Sequence, residues 1–230
     1  NTPPSPFTGF LALENSSAGG LVGGIANPRS IVQQDDGMGP PVLEPSLPEF
    51  VWPEQTFVEI EDSRATGNVS GFIGVGGLVG VSSNFNVDIF LSGEQLSTEV
   101  RDAFAALPLD QTPITITGSS ASGNVRGFGW VGGLVGASES TGISGSFATG
   151  TSSGDMTVGG LAGNALLSSI KDSYAQGDVS TVSLDSFTGL QTSLIEVLTQ
   201  PLLKGSGGLV GLTQFSEITT SYATGNVYGA

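Results

Sequence analysis

Gly132-Gly133-Leu134-Val135-Gly136, Ser146-Phe147-Ala148-Thr149-Gly150, Gly159-Gly160-Leu161-Ala162-Gly163 and Ser173-Tyr174-Ala175-Gln176-Gly177 follow one another in a single stretch of the chain. Two kinds of block alternate there at fixed steps. Gly136 to Gly150 is 14 residues, Gly163 to Gly177 is again 14, and Gly150 to Gly159 is 9, so one period, Gly136 to Gly163, is 27. A repeat of that size marks a solenoid or an array, in which each unit buries its apolar face against its neighbours.

Working outward from this pair, five copies align once three insertions are set aside. The aligned columns are Ile60/Ile116/Ile143/Ile170/Ile218, Ser63/Ser119/Ser146/Ser173/Ser221, Ala65/Ala121/Ala148/Ala175/Ala223 and Gly67/Gly123/Gly150/Gly177/Gly225, with glycine blocks beginning at Gly19, Gly76, Gly132, Gly159 and Gly207. The unit is rich in Val, Ile, Gly and Thr and has no helical period. At ~3.3 Å per residue its length suits one coil of three strands plus turns. The expected fold is therefore all-β: a right-handed parallel β-solenoid of about five 27-residue coils, forming one domain over residues 1–230. The Ile column and the Leu/Val pairs of the glycine blocks fill the interior, and each glycine column marks a corner where positive φ or close backbone approach is required.

The insertions span about 24–57, 81–115 and 180–204. The first carries six prolines, Pro28, Pro40, Pro41, Pro45, Pro48 and Pro53, and reads as a surface loop because proline cannot donate to a ladder. The second has Leu96, Val100, Ala103, Phe104 and Leu107 at helical spacing, and the third has Phe187, Leu190, Leu194, Ile195, Val197 and Leu198, so each predicts an amphipathic helix.

Composition removes several classes of function. The chain of 230 residues has no Cys and no His, and 6 Lys+Arg against 21 Asp+Glu give a net charge of −15. Without His there is no Ser-His-Asp triad, and without Cys no thiolate metal site or disulfide. The acidic balance repels phosphate backbones, so no nucleic-acid partner is expected. No apolar run is long enough for a membrane span, so no membrane insertion is expected.

Candidate chemistry is sparse. Glu61-Asp62, Asp172 and Asp178 are the carboxylates a polysaccharide-acting β-helix enzyme would use, but their placement shows no convergent pair. Asp35-Asp36 and the Glu54, Glu61, Asp62 region offer hard oxygen ligands of the kind Ca2+ takes, without an EF-hand loop, so no cofactor is expected and Ca2+ stays an alternative. The column Thr66/Ser122/Thr149/Gln176/Thr224 resembles an ice-binding row interrupted by Ser122 and Gln176. Phe72, Phe128 and Trp130, or the stacked Phe147, Tyr174 and Tyr222, are the aromatics a glycan would meet.

Gly208-Leu209-Val210-Gly211, followed 10 residues later by Ser221-Tyr222-Ala223-Thr224-Gly225-Asn226-Val227, resembles the GLUG motif. That motif recurs in large bacterial cell-surface and secreted proteins, including adhesins and non-catalytic parts of immunoglobulin A peptidases. The resemblance implies an extracellular, repetitive β-solenoid used for reach, adhesion or assembly. Arg64 and Ser120 replace the aromatic in the first two copies, and Ala162 replaces Val in the fourth.

The reading is a non-catalytic structural or adhesive solenoid at the cell surface: an adhesin module, or a filament subunit stacking head to tail. Its partners are copies of itself, neighbouring repeats of a longer chain, or a host or matrix surface. The expected assembly residues are Phe7, Phe10, Leu11 and Leu13 at one end and Tyr222, Val227 and Tyr228 at the other. The alternative is an ice- or glycan-binding solenoid, with a polysaccharide-acting β-helix enzyme behind it.

Overall fold

The side chains that recur every 27 residues become neighbours only if the chain returns to the same lateral position after each period, and it does. The computed structural model describes residues 17–26, 58–83, 112–182 and 204–229. Among these residues all regular structure is β, in five five-stranded sheets whose pairings are parallel throughout. The third coil shows the unit: strands Gly129–Gly132, Val135–Glu139, Thr141–Ser144, Phe147–Ala148 and Ser152–Gly154 follow in order, and we name their sheets A to E. Every sheet takes one strand from each of five coils, in chain order. The architecture is a parallel β-solenoid.

The sequence columns are ladders in this fold. Ile60 pairs with Ile116, Ile116 with Ile143, Ile143 with Ile170 and Ile170 with Ile218. The alanines from Ala65 to Ala223 pair in the same way. Ile and Ala join Leu78, Leu134 and Leu161 in one core, while Val69, Val75, Val125, Val131, Val158 and Val179 form a second core beside sheets A and E. The described segments break between sheets B and C in the first two coils and between E and A before the fifth, so the insertions leave at two points of the coil and spare every ladder. The Pro-rich loop, the two expected helices, and the residues Phe7, Phe10, Leu11, Leu13, Asp35, Asp36 and Glu54 lie outside the described residues.

Two details differ from the sequence expectation. Each coil has five strands rather than three. The cause is a pair of one-residue corners in the left-handed region: Asp62, Gly118, Gly145, Asp172 and Thr220 between sheets C and D have φ of 46°, 59°, 56°, 50° and 47°, and Ser140, Leu167 and Phe215 between B and C have 49°. A single left-handed residue redirects the chain without a loop, so strands of two to five residues suffice. Second, the repeated glycines serve close approach and not positive φ. A Cβ on Gly150 would lie 2.0 Å from the Gly123 carbonyl oxygen, and one on Gly133 would lie 2.1 Å from that of Gly160.

Candidate functional site

The serine column occupies the corner after sheet C, and its hydroxyls tie the coils together. Each Oγ donates to the carbonyl two residues back, as Ser146 does to Ser144 at 2.9 Å. From the second coil on, each also accepts the N–H of the serine in the preceding coil: Ser63 to Ser119 at 3.1 Å, Ser119 to Ser146 at 3.1 Å, Ser146 to Ser173 at 3.2 Å and Ser173 to Ser221 at 3.1 Å. Thr141, Ser168 and Ser216 repeat this arrangement between sheets B and C. At the D–E turn the direction reverses, with Asn124 donating its N–H to Asn68 Oδ1 at 2.9 Å and Asn226 donating to Asp178 Oδ1 at 2.8 Å. The unbroken recurrence of serine in this column is the sequence signal of that geometric role.

Two of the named carboxylates, Asp172 and Asp178, accept bonds from the following coil in the same way. Asp62 and Asp172 sit in the left-handed corner column with Gly118 and Gly145 between them, so the two do not converge. Asp172 accepts the Thr220 hydroxyl. No group of three potential metal-ligating side chains occurs among the described residues.

One acid behaves differently. Glu139 ends the third strand of sheet B, is only 7% exposed, and accepts the Ser83 hydroxyl at 2.5 Å. Burial pushes its carboxyl above the ordinary value, with the Ser83 bond opposing that shift. Asp155, also buried, faces Lys204 at 3.6 Å.

The aromatics divide into two groups. Phe128 is fully buried with Ile73 and Met156, and Phe72 stacks on it at 4.9 Å with Trp130 packed alongside, so Phe128 has no face to offer a sugar. Phe147, Tyr174 and Tyr222 form a stack on the outside of sheet D, with centroids 4.9 and 5.2 Å apart. Beside them Thr66, Ser122, Thr149, Gln176 and Thr224 are all exposed, with Gln176 breaking the hydroxyl row.

Of the exposed large apolar side chains among the described residues, Leu21 at 52% belongs to the first coil and the others to the fifth. Ile218 is 40% exposed and Val227 45%, although their ladder partners Ile170 and Val179 are fully buried. Tyr222 and Tyr228 are 53% and 56% exposed. The five strands of this coil each lack a partner on their outer edge among the described residues. Thus Tyr222, Val227 and Tyr228, named from the sequence, lie on one open end face together with Ile218, which was not named.

No curated protein and no solved structure matches the chain. The family model of the GLUG motif matches at two places, residues 154–180 and 204–228, which hold most of the fourth coil and all of the fifth. The chain carries GLUG repeats, and each matched repeat is one turn of a parallel β-solenoid.

Proposed function

We propose that the protein is a non-catalytic structural module of a secreted or surface-exposed protein, an adhesin-type solenoid that works by end-on association of its coils. The repetition of one coil carries this reading: every coil offers its neighbours the same five parallel strand edges and the same serine and asparagine or aspartate bonds, and such edges are templates for further pairing. The extracellular placement is supported by the resemblance to GLUG-bearing surface proteins and by the net charge of −15. Adhesin modules and head-to-tail filament subunits are the two forms this function takes. Purified protein applied to itself and to cell or matrix surfaces tests it. Self-association or surface binding that is lost on Ile218→Lys supports the reading, and turnover of an acidic polysaccharide that is lost on Asp172→Ala replaces it.

A second reading is favoured by the stack of Phe147, Tyr174 and Tyr222. Tyr222 is 53% exposed and among the described residues only Tyr174 stacks on it, and a sugar stacks on an exposed ring face. Binding to a glycan array that disappears in Tyr222→Ala, with Ile218→Lys unaffected, would select this reading.

A further inference from the structure

The chain has no Cys, so no disulfide can staple one coil to the next. Insertions lengthen two of the four steps between coils: the serine column advances by 56, 27, 27 and 48 residues. At the last of these steps the fold brings together two of the chain's three tyrosines. Tyr174 and Tyr222 are direct partners in sheet D, with rings 6° from parallel and centroids 5.2 Å apart. Phe147 covers the other face of Tyr174 at 4.9 Å, so Tyr222 is the one phenol beside it. Tyr228 stands on sheet E opposite Ser180 and has no phenol in the rung it pairs with. Tyr174 has a rung on either side and is still partly exposed, so sheet D turns this column to solvent within the stack.

We propose that Tyr174 and Tyr222 form an oxidative cross-linking site, joined by a carbon–carbon bond when the protein meets hydrogen peroxide and a one-electron oxidant of the haem peroxidase class. Each phenol gives one electron and its hydroxyl proton to the oxidant. The two phenoxyl radicals then couple through the carbons ortho to their oxygens. The hydrogen on each coupled carbon moves to the neighbouring oxygen, which restores both phenols. In sum two hydrogens leave the protein and one peroxide becomes two waters.

The ladder makes this coupling selective. Radicals on separate chains must meet by diffusion, whereas Tyr174 and Tyr222 are held side by side, so coupling within the chain is effectively unimolecular and outruns coupling between chains. The bond closes the 48-residue loop that holds the third insertion, which is what a disulfide does for a chain that has one. It requires neither end-on association nor glycan binding, and it stands or falls apart from both.

The test treats the folded chain with a haem peroxidase and hydrogen peroxide. The expected product keeps the 23.2 kDa mass of one chain less two hydrogens, fluoresces as dityrosine, and forms in a yield that does not fall on dilution. Trypsin cuts after Lys171 and Lys204, so the product joins peptide 172–204, which holds Tyr174, to peptide 205–230, which holds Tyr222 and Tyr228. Tyr174→Phe and Tyr222→Phe keep the ring stack, are checked for folding by circular dichroism, and are each expected to abolish the product. Tyr228→Phe is expected to leave it intact. The closed loop is expected to raise Tm by about 8–16 °C. Absence of the joined peptides overturns the proposal, as do products that are all of two chains or more. A bond between Tyr222 and Tyr228 within peptide 205–230, or dityrosine that survives Tyr174→Phe, overturns it as well. A joined product whose Tm is unchanged refutes the staple.

Discussion

Ser146→Ala removes the central rung of the serine ladder and nothing else. Ser146 is fully buried, and its Oγ accepts the Ser119 N–H at 3.1 Å while donating to the Ser144 carbonyl at 2.9 Å. Ser119 is fully buried too, and among the described residues its N–H has no other acceptor. The variant therefore strands a buried backbone donor, which costs about 1–3 kcal/mol, and forfeits the hydroxyl's own bond for about 1 kcal/mol more; about 2–4 kcal/mol is expected in all. For a chain of this size that corresponds to a fall in Tm of about 4–16 °C. Ser63→Ala is the internal control. Ser63 Oγ bonds the Glu61 carbonyl at the exposed corner of the first coil and accepts no N–H among the described residues, so its loss is expected to cost about 0.5 kcal/mol. Guanidinium unfolding followed by far-ultraviolet circular dichroism reads both, provided the slopes agree. If the two variants differ by less than about 0.5 kcal/mol, the ladder does not hold the coils together and the reasoning fails.

Three further outcomes follow from the same geometry. Gly150→Ala, with its new Cβ 2.0 Å from the Gly123 oxygen, is expected to cost more than about 3 kcal/mol, whereas Gly67→Ala, whose Cβ meets nothing within 4 Å, stays within about 0.5 kcal/mol of the parent; equal costs would show that close approach is not the reason for the column. Tyr174→Ala removes two ring stacks, at 4.9 and 5.2 Å, and is expected to cost about 1–3 kcal/mol, with Tyr174→Phe neutral; if the Phe variant is as damaged as the Ala one, the hydroxyl and not the stack matters. Glu139 has a folded-state carboxyl raised above 4.5 by burial, so its contribution is fully present below that value and is lost as pH rises through the raised one. Glu139→Gln should thus gain stability over the parent as pH goes from 4 to 7, and a gain that shrinks over that range contradicts the desolvation.

Ladder identity was legible in the sequence because a solenoid translates chain period directly into contact. Ile116, Ile143 and Ile170 needed only a shared period to be placed side by side, and Ala121, Ala148 and Ala175 likewise. Strand count was not legible, because it depends on corners made by whichever residue accepts φ near +50°. Asp, Gly, Thr, Ser, Leu and Phe all do so here, and no residue type announces the turn. The glycine columns were recognisable as requirements, yet only the neighbouring carbonyl 2 Å from a hypothetical Cβ separates close approach from positive φ. Phe128 was taken together with Phe72 and Trp130, since sequence cannot say which of three nearby aromatics turns inward. Glu139 escaped notice because a single acid after an apolar strand looks solvated until the fold covers it.

The ladders also set a limit on any contact made at the stack's end. Between coils the serine N–H always points toward the C-terminal neighbour and the asparagine or aspartate Oδ1 always accepts from that same side. The fifth coil therefore presents Ser221 as a donor and Asn226 as an acceptor, and only a parallel sixth coil would match both. A strand that approached this edge antiparallel would meet those two groups out of phase and leave them to water, so the side-chain ladders favour continuation of the stack in one direction over its reversal.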